Sequence, residues 1–234
     1  MQAKQKYYFD WLNEVGKVLF PNNCCGCNTP LNNQEDTICI SCLAKLPRTN
    51  YHRLKSNPVF RKFTGRLPVV QATSFLYFKK GNLAQILLHK LKYNKRQDLG
   101  ERLGGLFALD LLKDGFALPD LILPLPLHPD KEKLRGFNQS LCIAGGLERW
   151  LEVPVAAQVV KRTVANPTQT KKSRYDRWKN VEDIFAVSEP AAVMGKHVLV
   201  IDDVITTGST LESCGRNLLE SGAKAVSIAT LASA

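Results

Sequence analysis

The stretch His197-Val198-Leu199-Val200-Ile201-Asp202-Asp203-Val204-Ile205-Thr206-Thr207-Gly208-Ser209-Thr210 decides the fold of this chain. Four apolar residues make a buried strand, two carboxylates stand at its carboxyl end, and a loop of small hydroxyl residues leads into a helix. Open α/β sheets bind their ligands at that place. Residues 206–210 bring four side-chain hydroxyls and five backbone N–H groups into five positions. Gly208 permits close approach, so the loop can wrap a phosphate monoester at a helix N-terminus. Asp202 and Asp203 repel phosphate but accept hydrogen bonds well, so they should face the vicinal hydroxyls of a sugar. Phosphate beside diol describes a ribose 5-phosphate group. Two plainer readings compete: Ser209-x-x-Glu212 is an ordinary capping box, and paired acids at a strand end can be a solvated turn. Glu212 folded back on the helix start would oppose a phosphate there. A capping box, however, needs neither the two acids nor Thr206-Thr207-Gly208. Neither a Walker A loop nor a Rossmann glycine fingerprint is present.

Outward from this motif, short apolar runs alternate with helical stretches. The pattern predicts strands at 73–78, 121–125, 183–187, 197–201 and 226–231, and helices at 82–92, 98–113, 139–151 and 210–221. Strands alternating with helices argue for an α/β fold with a parallel sheet. Residues 8–19 place Tyr8, Trp11, Leu12, Val15, Val18 and Leu19 at helical spacing up to Pro21. The expected organisation is an amino-terminal helix and cysteine module over 1–50, a basic linker over 51–67, and the α/β domain over 68–234.

Residues 22–50 have little periodicity and cannot supply their own core, so they need a staple. Cys24-x2-Cys27 and Cys39-x2-Cys42, eleven residues apart, offer four thiolates to one tetrahedral ion. Structural Zn2+ suits that donor set, since four closed positions leave none for water. Free thiols and an iron–sulfur site are the alternatives. Cys25 is a rival ligand, although Cys24 keeps the two-residue gap. Cys142 and Cys214 fall in expected helices and read as small core residues.

With 234 residues, 44% of them hydrophobic and 23% charged, the chain can bury a core, which excludes disorder. No run of 18 apolar residues exists, so no membrane insertion is expected. Asp10 and Glu14 interrupt the place an export signal would occupy, and seven cysteines without such a signal fit the cytoplasm. A net charge of +11 favours a polyanionic partner, whether nucleic acid or a pyrophosphate. Arg135 beside Gly136 offers a bidentate donor next to adaptable backbone, as pyrophosphate recognition requires. A solvated basic loop is the plain alternative there. Residues 161–180 hold seven Lys or Arg against Asp176 alone. Lys171, Lys172, Arg174 and Arg177 from that stretch are candidate contacts for pyrophosphate or nucleic-acid phosphates. Residues 43–102 add fourteen basic residues against Asp98 and Glu101.

The segment 202–210 is very similar to the ligand motif of type I phosphoribosyltransferases, which use 5-phosphoribosyl-1-pyrophosphate (PRPP). The cysteine pairs, Leu91-Lys92-Tyr93, Pro126-Leu127-His128 through Arg135-Gly136-Phe137-Asn138-Gln139, Gln169 through Asn180, and the 202–210 motif together resemble the ComF family of competence-associated proteins. That resemblance implies a type I phosphoribosyltransferase-like parallel sheet with helices on both faces, plus a small amino-terminal four-cysteine zinc module. It also implies cytoplasmic handling of single-stranded DNA taken up in natural transformation. By motif matching, Asp202 and Asp203 hold the ribose diol and are the catalytic pair. Thr206, Thr207, Gly208, Ser209 and Thr210 hold the 5-phosphate, and Arg135 lies near the pyrophosphate. Mg2+ would accompany PRPP, and pentosyl transfer from PRPP is the expected reaction. The rival is a nucleic-acid-binding or protein-docking module, with a DNA-uptake or recombination protein as partner, in which the PRPP site is a sensor or a relic.

Overall fold

The computed structural model describes residues 22–162 and 184–234. The helix expected at 8–19 lies outside them, as do Lys171, Lys172, Arg174 and Arg177. The chain divides into two compact units, Met1–Leu46 and Pro47–Ala234.

In the second unit, β1 (Val69–Tyr77), β2 (Leu121–Pro124), β5 (His197–Ile205) and β6 (Ala225–Ser233) form one parallel sheet. Two further short strands, β3 (Val160–Arg162) and β4 (Phe185–Val187), pair antiparallel in a separate ladder that brackets residues 163–183. The order across the main sheet is β1-β6-β5-β2. The central strand β5 is an unbroken apolar run over 198–201, as a strand covered on both faces must be. It continues past the expected end at 201 because Val204 and Ile205 keep pairing with Ala232 and Ser233 of β6. Asp202 and Asp203 therefore belong to the strand itself, with Asp202 opposite Thr230.

Side-chain alternation splits the core between two faces. On one, Leu123, Val198, Val200, Val226 and Ile228 pack with Leu211, Cys214 and Leu218 of the helix Ser209–Glu220. On the other, the helix Gln139–Leu151 packs against β2 and β5, and against the helix Gln97–Lys113. Phe107 of the latter stacks on Phe75 of β1, ring centroids 5.2 Å apart. Asparagine caps start three of the helices: Asn57 accepts from Val59 and Phe60 N–H, Asn82 from Gln85 N–H, and Asn138 from Ser140 N–H.

Residues 51–67 are a correction to the expected linker. Tyr51, Val59, Phe63 and Leu67 are buried in the core of the second unit, and the division between units falls at Leu46/Pro47. The basic residues of this stretch obscure a buried stripe, because their aliphatic stems and charged heads sit between the apolar anchors. A helix the sequence pattern does not predict spans Pro129–Arg135; Pro129 opens it, and His128 caps it by accepting from Asp130 N–H at 3.3 Å.

Candidate phosphoribosyl site and metal centre

The carboxyl end of β5 gathers groups from three other elements. Asp202 Oδ1 accepts from the Ser140 hydroxyl at 3.0 Å and from the Asp203 N–H at 2.8 Å. Burial, reinforced by the charge of Asp203, pushes the Asp202 carboxyl up to about 7. The Asp203 carboxylate lies 2.9 Å from the ammonium of Lys92 and 4.0 Å from Nη1 of Arg135. Two acids and two cations therefore share one corner of the sheet.

Arg135 reaches this corner through a short, tightly wired turn. Its helix ends at Gly136, whose φ of 80° is the left-handed cap that glycine adopts without strain. Asn138 then donates to the Leu125 carbonyl at 3.0 Å while capping the next helix. Arg135 Nη1 donates to Gln139 Oε1 at 2.6 Å, and Gln139 Nε2 donates to the Phe137 carbonyl at 3.1 Å. The Arg135-to-Gln139 motif thus fastens one guanidinium to the end of β2, beside Asp203.

The loop after β5 has the shape the sequence implies. Thr206, Thr207 and Ser209 are exposed, Thr210 is partly buried, and Gly208 is buried at the helix start with φ of 83°. A Cβ on Gly208 would stand 3.2 Å from the Phe63 ring. Phe63 thus backs the loop, and a side chain at 208 would have to displace it. Gly208, not Ser209, occupies the N-cap position, so no capping box forms. Glu212 is instead held by Arg66 and by Arg216, the latter at 3.0 Å. Arg66 also donates to the Thr207 carbonyl at 3.3 Å. The charge that would oppose a phosphate at the helix start is thereby neutralised.

Of the residues singled out from sequence, Asp202, Asp203 and Arg135 converge, and Thr206–Thr210 follow directly after β5, in the loop and first turn of the helix Ser209–Glu220. Lys92 and Arg66 belong to this neighbourhood, although the sequence does not mark them as site residues. Lys92 stands in the Leu91-Lys92-Tyr93 stretch that supports the family resemblance, with no role attached to it, and the only signal for Arg66 is the basic excess of residues 43–102, which carries no information on direction.

The first unit builds its own centre. The Sγ atoms of Cys24, Cys27, Cys39 and Cys42 all lie within 4.8 Å of one another. Four sulfurs at about 2.3 Å from a tetrahedral ion sit about 3.8 Å apart, so a small contraction closes the set. Cys24 Sγ also accepts from the N–H groups of Gly26 at 3.3 Å and Cys39 at 3.2 Å, the support a thiolate needs. The Thr29 hydroxyl lowers the Cys27 thiol to about 6. Burial and the neighbouring sulfurs push Cys42 up instead, a conflict that a cation among the four relieves. These donors can hold a metal ion such as zinc, and Cys24 rather than Cys25 joins the group. Burial pushes the thiols of Cys142 and Cys214 up to about 11 and about 12, so both remain protonated side chains of the fold.

Residues 138–234 match the family model described as phosphoribosyl transferase domain. The DNA utilization protein YhgH of Escherichia coli K12 is 37% identical over 146 residues, 61% of this chain and 63% of that protein. Competence protein F of Haemophilus influenzae is 35% identical over 118 residues, 50% of this chain and 52% of its own length. Competence protein ComFC of Bacillus subtilis is 36% identical over 110 residues, 47% of this chain and 42% of its own length. Each alignment spans less than two thirds of the relative. Among the described residues, no helix is long and apolar enough to cross a membrane.

Proposed function

We propose that this chain, a homologue of the competence and DNA utilization proteins with a phosphoribosyl transferase domain over residues 138–234, binds PRPP and transfers its pentosyl group. The observation that carries this reading is the order of groups along β5: two carboxylates near the carboxyl end of the strand, then the hydroxyl-rich loop running into a helix N-terminus.

In this reading the Thr206–Thr210 hydroxyls and N–H groups take the 5-phosphate, and Arg66 removes the opposing charge of Glu212. Asp203 and Asp202 accept from the ribose hydroxyls and fix the ring. As the bond from the anomeric carbon to the pyrophosphate oxygen breaks and that carbon bonds to a nucleophilic acceptor, positive charge develops on the ring, pyrophosphate leaves, and the adjacent Asp203 carboxylate stabilises the charge. Arg135 faces the departing pyrophosphate, held in place by Gln139. Mg2+ bound with PRPP would neutralise pyrophosphate charge. Zn2+ in the four-cysteine centre is structural, and the cytoplasm is where PRPP and reduced thiols are both found.

The names of the relatives and the net charge of +11 favour single-stranded DNA as a further partner, with a DNA-uptake or recombination protein beside it. They also support a second reading, in which DNA is the principal ligand and the PRPP site a sensor or, where it no longer binds PRPP, a relic. Calorimetric titration of PRPP with Mg2+ into the zinc-loaded chain, with single-stranded DNA present and absent, separates the two. The expected result is binding by the wild type and a loss of about tenfold or more in Asp203→Asn. Equal affinity in that variant would remove Asp203 from the site. DNA binding that falls steeply with salt and is unchanged in Asp203→Asn, with no PRPP binding, would leave the second reading.

A further inference from the structure

We propose that Lys92 is a pyrophosphate-binding residue, held on Asp203 until the ligand arrives and then transferred to the ligand's pyrophosphate end. This rests on the phosphoribosyl reading above. Lys92 lies in the last turn of the helix Leu83–Tyr93, which Asn82 caps and which Leu87, Leu88 and Leu91 anchor in the core. The anchoring fixes the backbone of residue 92, while the four-carbon stem carries the ammonium 2.9 Å from Asp203 Oδ2. A lysine near a helix C-terminus is favoured by the helix dipole, but that preference does not explain contact with one carboxylate of a ligand motif.

What an arriving ligand must displace decides the role of this lysine. Asp203 has two oxygens, and one of them already faces two cations, Lys92 at 2.9 Å and Arg135 at 4.0 Å. A ribose diol brings hydroxyl donors to that carboxylate and weakens its need for a cation. A pyrophosphate brings several negative charges to the same corner and creates a new need. Arg135 is committed by its 2.6 Å bond to Gln139 and by its planar geometry. Among the described residues, the ion pair of Lys92 is with Asp203 alone, and its side chain is 22% exposed. An ammonium with three donors on a flexible stem can keep one contact to Asp203 and turn the others to phosphate oxygens. The ion pair seen here is thus the resting position of a binding group. It also spares the buried acids an uncompensated charge before the ligand arrives.

The test is a comparison of three ligands on the zinc-loaded full chain in the presence of Mg2+: PRPP, pyrophosphate and ribose 5-phosphate. Lys92→Met should lose about tenfold to a hundredfold for PRPP and pyrophosphate, the range expected for one charge-assisted contact. Ribose 5-phosphate should bind it as well as it binds the wild type, or more tightly, because its competitor for Asp203 is gone. Lys92→Arg should keep most of the preference for PRPP, which shows that charge and not folding is at issue. Equal losses for PRPP and ribose 5-phosphate would overturn the proposal and leave Lys92 as a support for Asp203. Unchanged affinities would overturn it as well. A wild-type chain that binds none of the three would overturn the phosphoribosyl reading itself, an outcome separate from failure of Lys92 alone.

Discussion

At the scale of single residues, the proton on Asp202 has a thermodynamic consequence. Burial and then the Asp203 charge raise its carboxyl from 3.8 to about 7, outweighing the bonds from Ser140 and the Asp203 N–H. Between those values the folded chain holds a proton that the unfolded chain has released. Stability therefore falls as pH rises from about 4 to about 7 and is level above that, each unit of separation being worth about 1.4 kcal/mol. Asp202→Asn removes the ionisation. Thermal melts at about pH 5 and about pH 7.5 should show the wild type losing several degrees between them. The variant should lose much less and be the more stable of the two at the higher pH. An equal fall in both would assign the dependence to another group. The acids themselves were legible, because two carboxylates ending an apolar strand have few structural uses. The partners of Lys92 and Arg66 were not, even though Lys92 stands in the quoted Leu91-Lys92-Tyr93 stretch, because an ion pair across distant segments leaves no trace in local pattern. Glu212 shows the converse: its spacing from Ser209 spells a capping box, yet the chain uses Gly208 as the cap and gives Glu212 to two arginines.

At the scale of elements, the site depends on how closely two helices cross. A Cβ on Gly104 would run into the Ile143 carbonyl oxygen, and one on Gly146 would run into the Glu101 carbonyl oxygen. The helices Gln97–Lys113 and Gln139–Leu151 therefore meet backbone to backbone, and neither glycine tolerates a methyl group. The second helix begins with Gln139 and Ser140, the residues that hold Arg135 and Asp202. Gly146→Ala must push that helix off its partner and carry both contacts with it. It should lower stability by about 3 kcal/mol or more and weaken PRPP binding together with it, measured by denaturant unfolding and titration. Gly145→Ala is the internal control, since nothing lies within 4 Å of its added methyl. Helix propensity alone should make that variant as stable as the wild type or about 0.5–1 kcal/mol more so. Matching losses at both positions would show that the crossing is not what limits the fold. The sequence located these helices to within a residue, because apolar spacing is a local property. It could not reveal their crossing distance, since glycines such as Gly104 and Gly146 in a soluble helix are equally compatible with loose packing.

For the whole molecule, the two units rest on different physics. Residues 47–234 own a continuous core on both faces of a parallel sheet, which is sufficient for independent stability. In the described part of the first unit, the buried apolar side chains are Cys24, Cys25, Ile38, Cys39, Cys42 and Leu46. Three of the four clustered thiols are among them, so removing the metal takes away the reason those sulfurs are gathered at all. Glu35 fixes the approach of the second pair by accepting from the Asn32 and Ile40 N–H groups, but these contacts are exposed and each is worth little in water. A strong chelator, or Cys39→Ser, should therefore unfold the first unit and leave the second folded. Hydrogen exchange would read this as loss of protection at the Cys24, Cys25 and Asn28 amides, whose partners are the Thr29, Thr37 and Cys24 carbonyls. Protection along β5 and β6 should remain, and one zinc should be released per chain by a colorimetric assay. Loss of protection in both units together would mean that the sheet domain depends on the metal for its own stability. Protection retained in both would mean that hydrogen bonding within residues 22–46 suffices to hold the four thiols together without an ion.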